Sequence, residues 1–325
     1  MTDEHIILVK RVRKYFPILK GIVRRPVAHV HAVDDVSLAI LQGETLGLVG
    51  ESGCGKTTLG RLILRLLVPD EGSILYEGQN IHQFGSSKLN EFRKNCQMVF
   101  QNPYSALNPR KRIKKILAQP FQVFGTGRGK DTLIDELLKT VGLTPPQAFA
   151  EKYPHELSGG QRQRIVIARA IAMKPRFLVC DEPVSMLDAS VTAQILNLLK
   201  DLKNQLNFSM LFISHDLAVV RHMCKKIAVM YAGKIVEMGR NQDVLSNSLH
   251  PYTQALISSV PIPDPSRTRE RASIDLKGDV PSLIHPPPGC RFNTRCPKAT
   301  EQCIRREPSL IEVQEGHYAA CHLSG

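Results

Sequence analysis

Residues 50–57 read GESGCGKT, and no other stretch restricts the possible fold as tightly. The octet satisfies G-x-x-x-x-G-K-[ST]. An apolar run ending at Val49 precedes it, and LGRLILRLL, apolar at helical spacing, follows it. A buried strand, a glycine turn and a helix in that order make a phosphate loop, whose backbone N–H groups converge on phosphate oxygens and leave little room for side chains larger than glycine. Gly50, Ser52, Gly53, Cys54, Gly55 and Thr58 belong to this cradle. The motif gives Lys56 the β/γ-phosphates and the Thr57 hydroxyl a place on Mg²⁺. An incidental glycine turn would not carry the flanking strand and helix.

The remaining pattern predicts an α/β protein. HIILVKRV and HAVDDVSLAI alternate like strands, and FLVCDEP, MLFISHD and KIAVMYAGKIVEMG supply a second strand-rich half, with the helix VTAQILNLLKDLKNQL between the first two. Residues near 85 to 155 read as mostly helical, broken by prolines at 103, 109, 120, 145 and 146. From His250 the texture changes. PIPDPSRTRERAS and HPPPG are proline-rich and polar, and lead into a small cysteine-bearing appendix. The expected organisation is a nucleotide-binding domain over 1–248, with a helical subdomain at about 85–160, and an appendix over 249–325.

RFLVCDE, residues 176–182, is a buried-strand run ending in two adjacent carboxylates. Alone it is a weak signal, because apolar runs before an acid are common. Beside a phosphate loop it acquires a chemistry: Asp181 at the strand's C-terminal edge can hold Mg²⁺ through water, and Glu182 can take a proton from an attacking water. Cys180 lies inside the apolar run and reads as core.

The deciding element is Leu157-Ser158-Gly159-Gly160-Gln161 followed by the helical RQRIVIARAI. With this motif between the phosphate loop and the acidic pair, the chain closely resembles the ATP-binding subunits of ABC transporters over its whole length. The resemblance implies an ABC-type nucleotide-binding domain with a phosphate-loop core sheet, an antiparallel β subdomain and a helical subdomain. It also implies ATP and Mg²⁺ as ligands and hydrolysis of ATP to ADP and phosphate. It assigns Gln101 in MVFQNPYSALNPR to the Q-loop that senses Mg²⁺ and the γ-phosphate, Asp188 in VSMLD to the D-loop (with Met186 in place of the usual small alanine), His215 in FISHD to the switch histidine that orients water and Glu182, and Tyr15 in VRKYFP to the aromatic that stacks on adenine. In that family Ser158, Gly159, Gly160 and Gln161 face ATP bound by the opposite subunit.

One phosphate loop and one LSGGQ then make half an engine. The resemblance implies a second, paralogous ATPase subunit, two membrane permease subunits and an extracytoplasmic substrate-binding protein. MVFQNPYSALNPR, YPHELSGGQRQRI, HPYTQALISSVP and PPPGCRFNTRCP narrow the likeness to the ATPases of dipeptide and oligopeptide importers. Nickel or another small solute is the alternative cargo within that subfamily. A soluble ABC ATPase acting on nucleic acid or ribosomes is the competing class. Such factors fuse two ATPase halves or insert long coiled coils, and this sequence does neither, so nucleic acid is not an expected partner.

Charge and cysteines add compartment and a second ligand question. The net charge is +13, yet residues 261–325 hold nine Lys/Arg against eight Asp/Glu, so the excess lies earlier and suits nucleotide phosphates or an anionic membrane leaflet. No run of about 18 apolar residues appears, and MTDEHIILVKRVRKYF is acidic where a signal peptide is basic. The expectation is a peripheral protein on the cytoplasmic face of the inner membrane. In a reducing compartment clustered cysteines lean towards metal. Cys290, Cys296, Cys303 and Cys321 follow C-x5-C-x6-C-x17-C, wider than the paired spacing of structural zinc and compatible with an iron–sulfur cluster. The tails of the similar peptide importers carry a [4Fe–4S] cluster, which the resemblance extends to these four residues, with zinc as the alternative. Its expected role is structural, stapling an appendix too small to build a core.

Overall fold

A computed structural model of the chain describes residues 5–21, 25–125, 130–259, 278–279 and 281–324. The proline-rich stretch PIPDPSRTRERAS, expected to be a linker, lies outside the described residues. The chain divides into two compact units: Met1–Ile40, Thr45–His82 and Phe212–Gly325 form the first, and Leu41–Glu44 with Gln83–Leu211 the second.

The first unit holds the long strands β1 (His5–Lys20) and β2 (Arg25–Leu41) and the fully buried β3 (Thr45–Val49). Helix α1 (Lys56–Ile63) follows the phosphate loop and buries Leu59, Leu62 and Ile63, the stripe expected from its sequence. β4 (Glu71–Tyr76) and the two-residue β5 (Gln79–Asn80) complete a four-stranded sheet of order β2-β1-β4-β5, with β1 and β4 antiparallel. This is the expected antiparallel subdomain.

In the second unit α2 (Ser86–Asn95) runs directly into a strand, β6 (Cys96–Val99). Residues 85–155 are mostly helical, as the sequence reading has it, but β6 is a strand that reading did not foresee. A four-residue strand buried at three of its positions shows no alternation to betray it. Helices α3 (Pro103–Ala106), α4 (Ile113–Val123), α5 (Lys130–Thr140) and α6 (Gln147–Ala150) follow, and then α7 (Gly159–Ile171). Strand β7 (Phe177–Asp181) is buried throughout and pairs with β6 in parallel register, Cys96 opposite Phe177 and Val99 opposite Cys180. Helix α8 (Ala189–Leu206) buries Ile195, Leu196, Leu199 and Leu202 and stops at Asn207, whose φ of +51° suits the left-handed end of a helix.

Strand β8 (Ser209–Ser214) carries the chain back into the first unit. There α9 (Leu217–Met223), β9 (Lys226–Tyr231) and β10 (Lys234–Arg240) precede α10 (Asn241–Ser246) and α11 (Pro251–Ser258). β9 lies parallel to β3, with Val49 opposite Val229, and antiparallel to β10. Beyond the proline-rich stretch come the short helix α12 (Glu301–Arg305) and the strands β11 (Ile311–Gln314) and β12 (His317–Ala319). The order on this side is β11-β12-β10-β9-β3.

The cysteine-bearing region therefore does not need a core of its own. β12 adds to β10, pairing Tyr318 with Met238. Phe292, 1% exposed, packs its ring against Tyr231, Tyr252 and His250 at centroid distances of 5.2, 5.5 and 5.7 Å. Burying a phenylalanine contributes about 1.5–3 kcal/mol. That is anchorage the sequence reading assigned to a metal staple.

Candidate functional site

The phosphate loop leaves β3 and turns into α1. A side chain at Gly50 (φ +153°) would place its Cβ 2.1 Å from the Met230 carbonyl oxygen, and one at Gly55 (φ +108°) would lie 2.0 Å from that of Ala32. At both positions the demand for glycine already comes from the protein's own backbone. Lys56 is buried, and its Nζ donates to the carbonyls of Gly50 and Glu51 at 2.7 and 2.9 Å. Ser52 and Gly53 are exposed, whereas Thr57 and Thr58 are half-buried on the first turn of α1. Cys54 is buried, and burial raises its thiol pKa against the pull of Lys56. It packs; it is not a thiolate.

Two further expected residues lie in this unit. His215 is exposed, immediately after β8, and Asp216 beside it caps α9 by accepting from the N–H groups of Ala218 and Val219. Tyr15, half-buried on β1, donates its hydroxyl to Asp34 at 2.7 Å and lies with its ring 4.3 Å from that of His31. Burial first, and then the Asp34 carboxylate, keeps that phenol protonated. Asp34 also accepts from Arg291, and although burial opposes its charge, the Tyr15 hydroxyl, Lys234 and Arg291 lower its pKa.

In the second unit Asp181 ends β7 with 2% exposure, and Glu182 follows at φ +46°. A left-handed glutamate is sparsely populated and costs about 1–3 kcal/mol. The parallel register of β6 and β7, continued two residues past Val99 and Cys180, sets Gln101 opposite Glu182. Gln101 Nε2 donates to Glu182 Oε2 at 2.8 Å. The sequence places these residues 81 apart, and the register brings them together.

The LSGGQ segment starts α7. Ser158 is its N-cap: its Oγ accepts from the Gln161 N–H at 3.3 Å, while Gln161 Oε1 accepts from the Ser158 N–H at 3.1 Å. This reciprocal capping box contributes about 0.5–2 kcal/mol to the helix start. The Ser-x-x-Gln spacing announces it in the sequence. Asp188 caps α8 in the same manner, accepting from the Val191 N–H and the Ser190 hydroxyl at 2.9 and 2.8 Å. The backbone N–H of Val191 and the Ser190 hydroxyl lower its pKa.

The four-cysteine expectation needs correction in its geometry. Cys303 is buried and Cys290, Cys296 and Cys321 are half-buried. Burial first, and then Cys303, Cys321 and Cys296, push the Cys290 thiol up to about 11. Yet among the described residues no three His, Cys, Asp or Glu side chains stand where they could share one metal ion. Cys303 Sγ lies 3.3 Å from the Thr300 hydroxyl, and Cys321 Sγ accepts from the Leu323 N–H at 3.4 Å. A ready-made cluster or zinc site is not formed by these side chains as they stand.

The phosphate loop, the acid-terminated strand and the capped LSGGQ helix define an ATP-binding cassette ATPase. The ABC transporter family model matches residues 33–185, and the model of the oligopeptide/dipeptide transporter C-terminal region matches 236–303. The oligopeptide transport ATP-binding protein AppF of Bacillus subtilis is 49% identical over 99% of this chain and 98% of its own length. The dipeptide transport ATP-binding protein DppF of Haemophilus influenzae is 46% identical over 95% and 94%. Among solved structures, a dimer of the ATP-binding cassette MJ0796 in a post-hydrolysis state with ADP and Pi has a TM-score of 0.63 at 27% identity, covering 72% of this chain and 98% of that one. The chain belongs to the family of oligopeptide/dipeptide ABC-transporter ATP-binding proteins.

Proposed function

We propose that the chain hydrolyses ATP to power uptake of dipeptides or oligopeptides through a membrane ABC importer. The observation that carries this reading is the near full-length likeness to peptide-transport ATP-binding proteins, extending into the C-terminal region. That region favours peptide over nickel or another solute as cargo. No helix among the described residues is long and apolar enough to cross a membrane, so translocation falls to separate permease subunits, with a substrate-binding protein delivering the peptide. The chain then works as a peripheral subunit on the cytoplasmic side, paired with a second, paralogous ATPase.

In this reading the loop N–H groups of residues 50–57 hold the β- and γ-phosphates, and Lys56 exchanges its two loop carbonyls for phosphate oxygens. Thr57, Asp181 and Gln101 are the residues that would hold Mg²⁺, which offsets charge on the phosphates. Tyr15 serves the adenine. Glu182 takes a proton from water as the water oxygen bonds to the γ-phosphorus and the bond to the bridging oxygen breaks, giving ADP and phosphate. His215 donates a hydrogen bond to the γ-phosphate and orients that water. Ser158, Gly159, Gly160 and Gln161 offer a helix N-terminus to the partner's ATP, with Asp188 beside the shared boundary. The four C-terminal cysteines belong to this proposal as ligands of a [4Fe–4S] cluster, or of zinc, once their side chains converge. Their C-x5-C-x6-C-x17-C spacing supports it.

The test is complementation of a strain lacking this gene, scored as growth on dipeptides and tripeptides, with wild type and Lys56→Ala. Wild type restores peptide uptake and Lys56→Ala does not. Restoration of nickel uptake without peptide uptake would replace the cargo, and uptake supported by Lys56→Ala would remove the ATPase reading.

A further inference from the structure

The turn between Cys290 and Cys296 carries two arginines, and both reach residues of the nucleotide site. Arg295 donates through Nη1 and Nη2 to the two carboxylate oxygens of Glu51 at 2.9 and 3.2 Å, and Nη1 lies 3.4 Å from the Tyr231 hydroxyl. The Arg295 side chain is 8% exposed and that of Glu51 25%, so this bidentate pair is screened far less than a surface one.

Glu51 is the second residue of the phosphate loop, and its main chain is held as firmly. Its N–H donates to the hydroxyl of the buried Tyr252 at 2.9 Å, and its carbonyl accepts from Lys56 Nζ. Tyr252 packs on Tyr231 and Phe292. Arg291, at the other end of the turn, donates to buried Asp34, which in turn accepts from the Tyr15 hydroxyl. The turn is fixed by its own bonds, Asn293 N–H to the Cys290 carbonyl and Cys296 N–H to that of Phe292, and Cys290 N–H reaches the carbonyl of Cys303.

We infer that Arg295 is a positioning residue for ATP, which makes the cysteine-bearing turn part of the nucleotide site. It acts through Glu51, neutralising a carboxylate in a loop that must accept a highly negative triphosphate. The inference rests on the reading of residues 50–57 as the ATP phosphate site, which Lys56→Ala tests separately.

The experiment is calorimetric titration of the full chain with Mg·ATP for wild type, Arg295→Gln, Arg295→Lys and the double variant Arg295→Gln/Glu51→Gln, each with a melting curve. Arg295→Gln weakens binding about tenfold, within the usual range of coupling between sites. Arg295→Lys falls between it and wild type. The double variant recovers most of the loss, because the uncompensated carboxylate is gone; a purely structural arginine would give no such recovery. Wild-type affinity in Arg295→Gln, or a double variant no tighter than the single one, overturns the inference. If Arg295→Gln does not fold, Glu51→Gln alone decides. It must bind Mg·ATP more tightly than wild type, since it keeps the arginine and removes the opposing charge, and equal or weaker binding overturns the inference. Undiminished binding by Lys56→Ala would instead remove the phosphate-site reading.

Discussion

Gln101 Nε2 and Glu182 Oε2 are joined at 2.8 Å, two residues beyond the last paired positions of the parallel strands β6 and β7. The proposed Mg²⁺ sensor and the proposed proton acceptor are thus set by one strand register. Glu182 pays a backbone cost at φ +46°, which the buried strand before it sustains.

Glu182→Gln is therefore expected to keep ATP binding and lose turnover. The amide retains the shape and a hydrogen bond to Gln101 but accepts no proton. Steady-state phosphate release in the assembled complex should fall by about 100- to 10,000-fold, with ATP affinity changed by no more than severalfold. Near-normal release would remove Glu182 as the base.

The capped LSGGQ helix and the phosphate loop occur once each in the sequence. If the helix start serves the partner's ATP, a dilute monomer cannot complete either site. Turnover per chain should rise with protein concentration, and rise further with the partner ATPase and permease subunits. A monomer verified by sedimentation that hydrolyses as fast as the complex would defeat the two-subunit reading.

Legibility in the sequence followed how local each feature is. The phosphate loop, the acid-terminated strand and the Ser158–Gln161 cap are contiguous, so spacing alone exposes them. Strand β6 escaped because four mostly buried residues carry no period. The Glu51–Arg295 pair escaped for a different reason. Its partners are 244 residues apart, Glu51 occupies a variable position of the loop motif, and nothing in FNTRCP distinguishes Arg295 from a solvated arginine. Tyr252 was visible within HPYTQALISSVP, but its use as an acceptor for the Glu51 N–H is a tertiary fact.

His250 provides a pH prediction. It is 1% exposed, caps α11 by accepting from the Tyr252 N–H at Nδ1, and burial lowers its pKa to about 3. In the unfolded chain the imidazole titrates near ~6.5. Above that value both states are neutral and the stability is fully present. As pH falls from about 6.5 towards 3 only the unfolded chain takes the proton, and stability drops by up to about 1.4 kcal/mol per pH unit. Urea midpoints at pH 7.5 and pH 5 should differ clearly for wild type and less for His250→Asn, which keeps an acceptor for the cap but does not titrate. Equal slopes would exclude His250 as the acid-sensitive group.

The cysteine proposal divides into a question of occupancy and one of role. Phe292 and β12 already fasten this region to the first unit, so the fold around the cysteines does not depend wholly on a metal. What a cluster would add is local. Cys290 and Cys296 bracket the turn that holds Arg291 and Arg295, and Cys303 lies opposite Cys290 through a 2.8 Å backbone bond. Cys321 follows two residues past β12. Drawing the four thiols onto one group would tighten that turn without remaking the core. Anaerobic purification should then yield about four iron and four sulfide per chain with visible sulfur-to-iron absorption. Replacing all four cysteines by serine should lower the melting temperature by several degrees, about 1–2 kcal/mol for a chain of this size, while leaving a cooperative transition. Stoichiometric zinc without iron would substitute a zinc site for the cluster, metal-free protein would remove both, and an unchanged melting temperature in the serine variant would end the structural role.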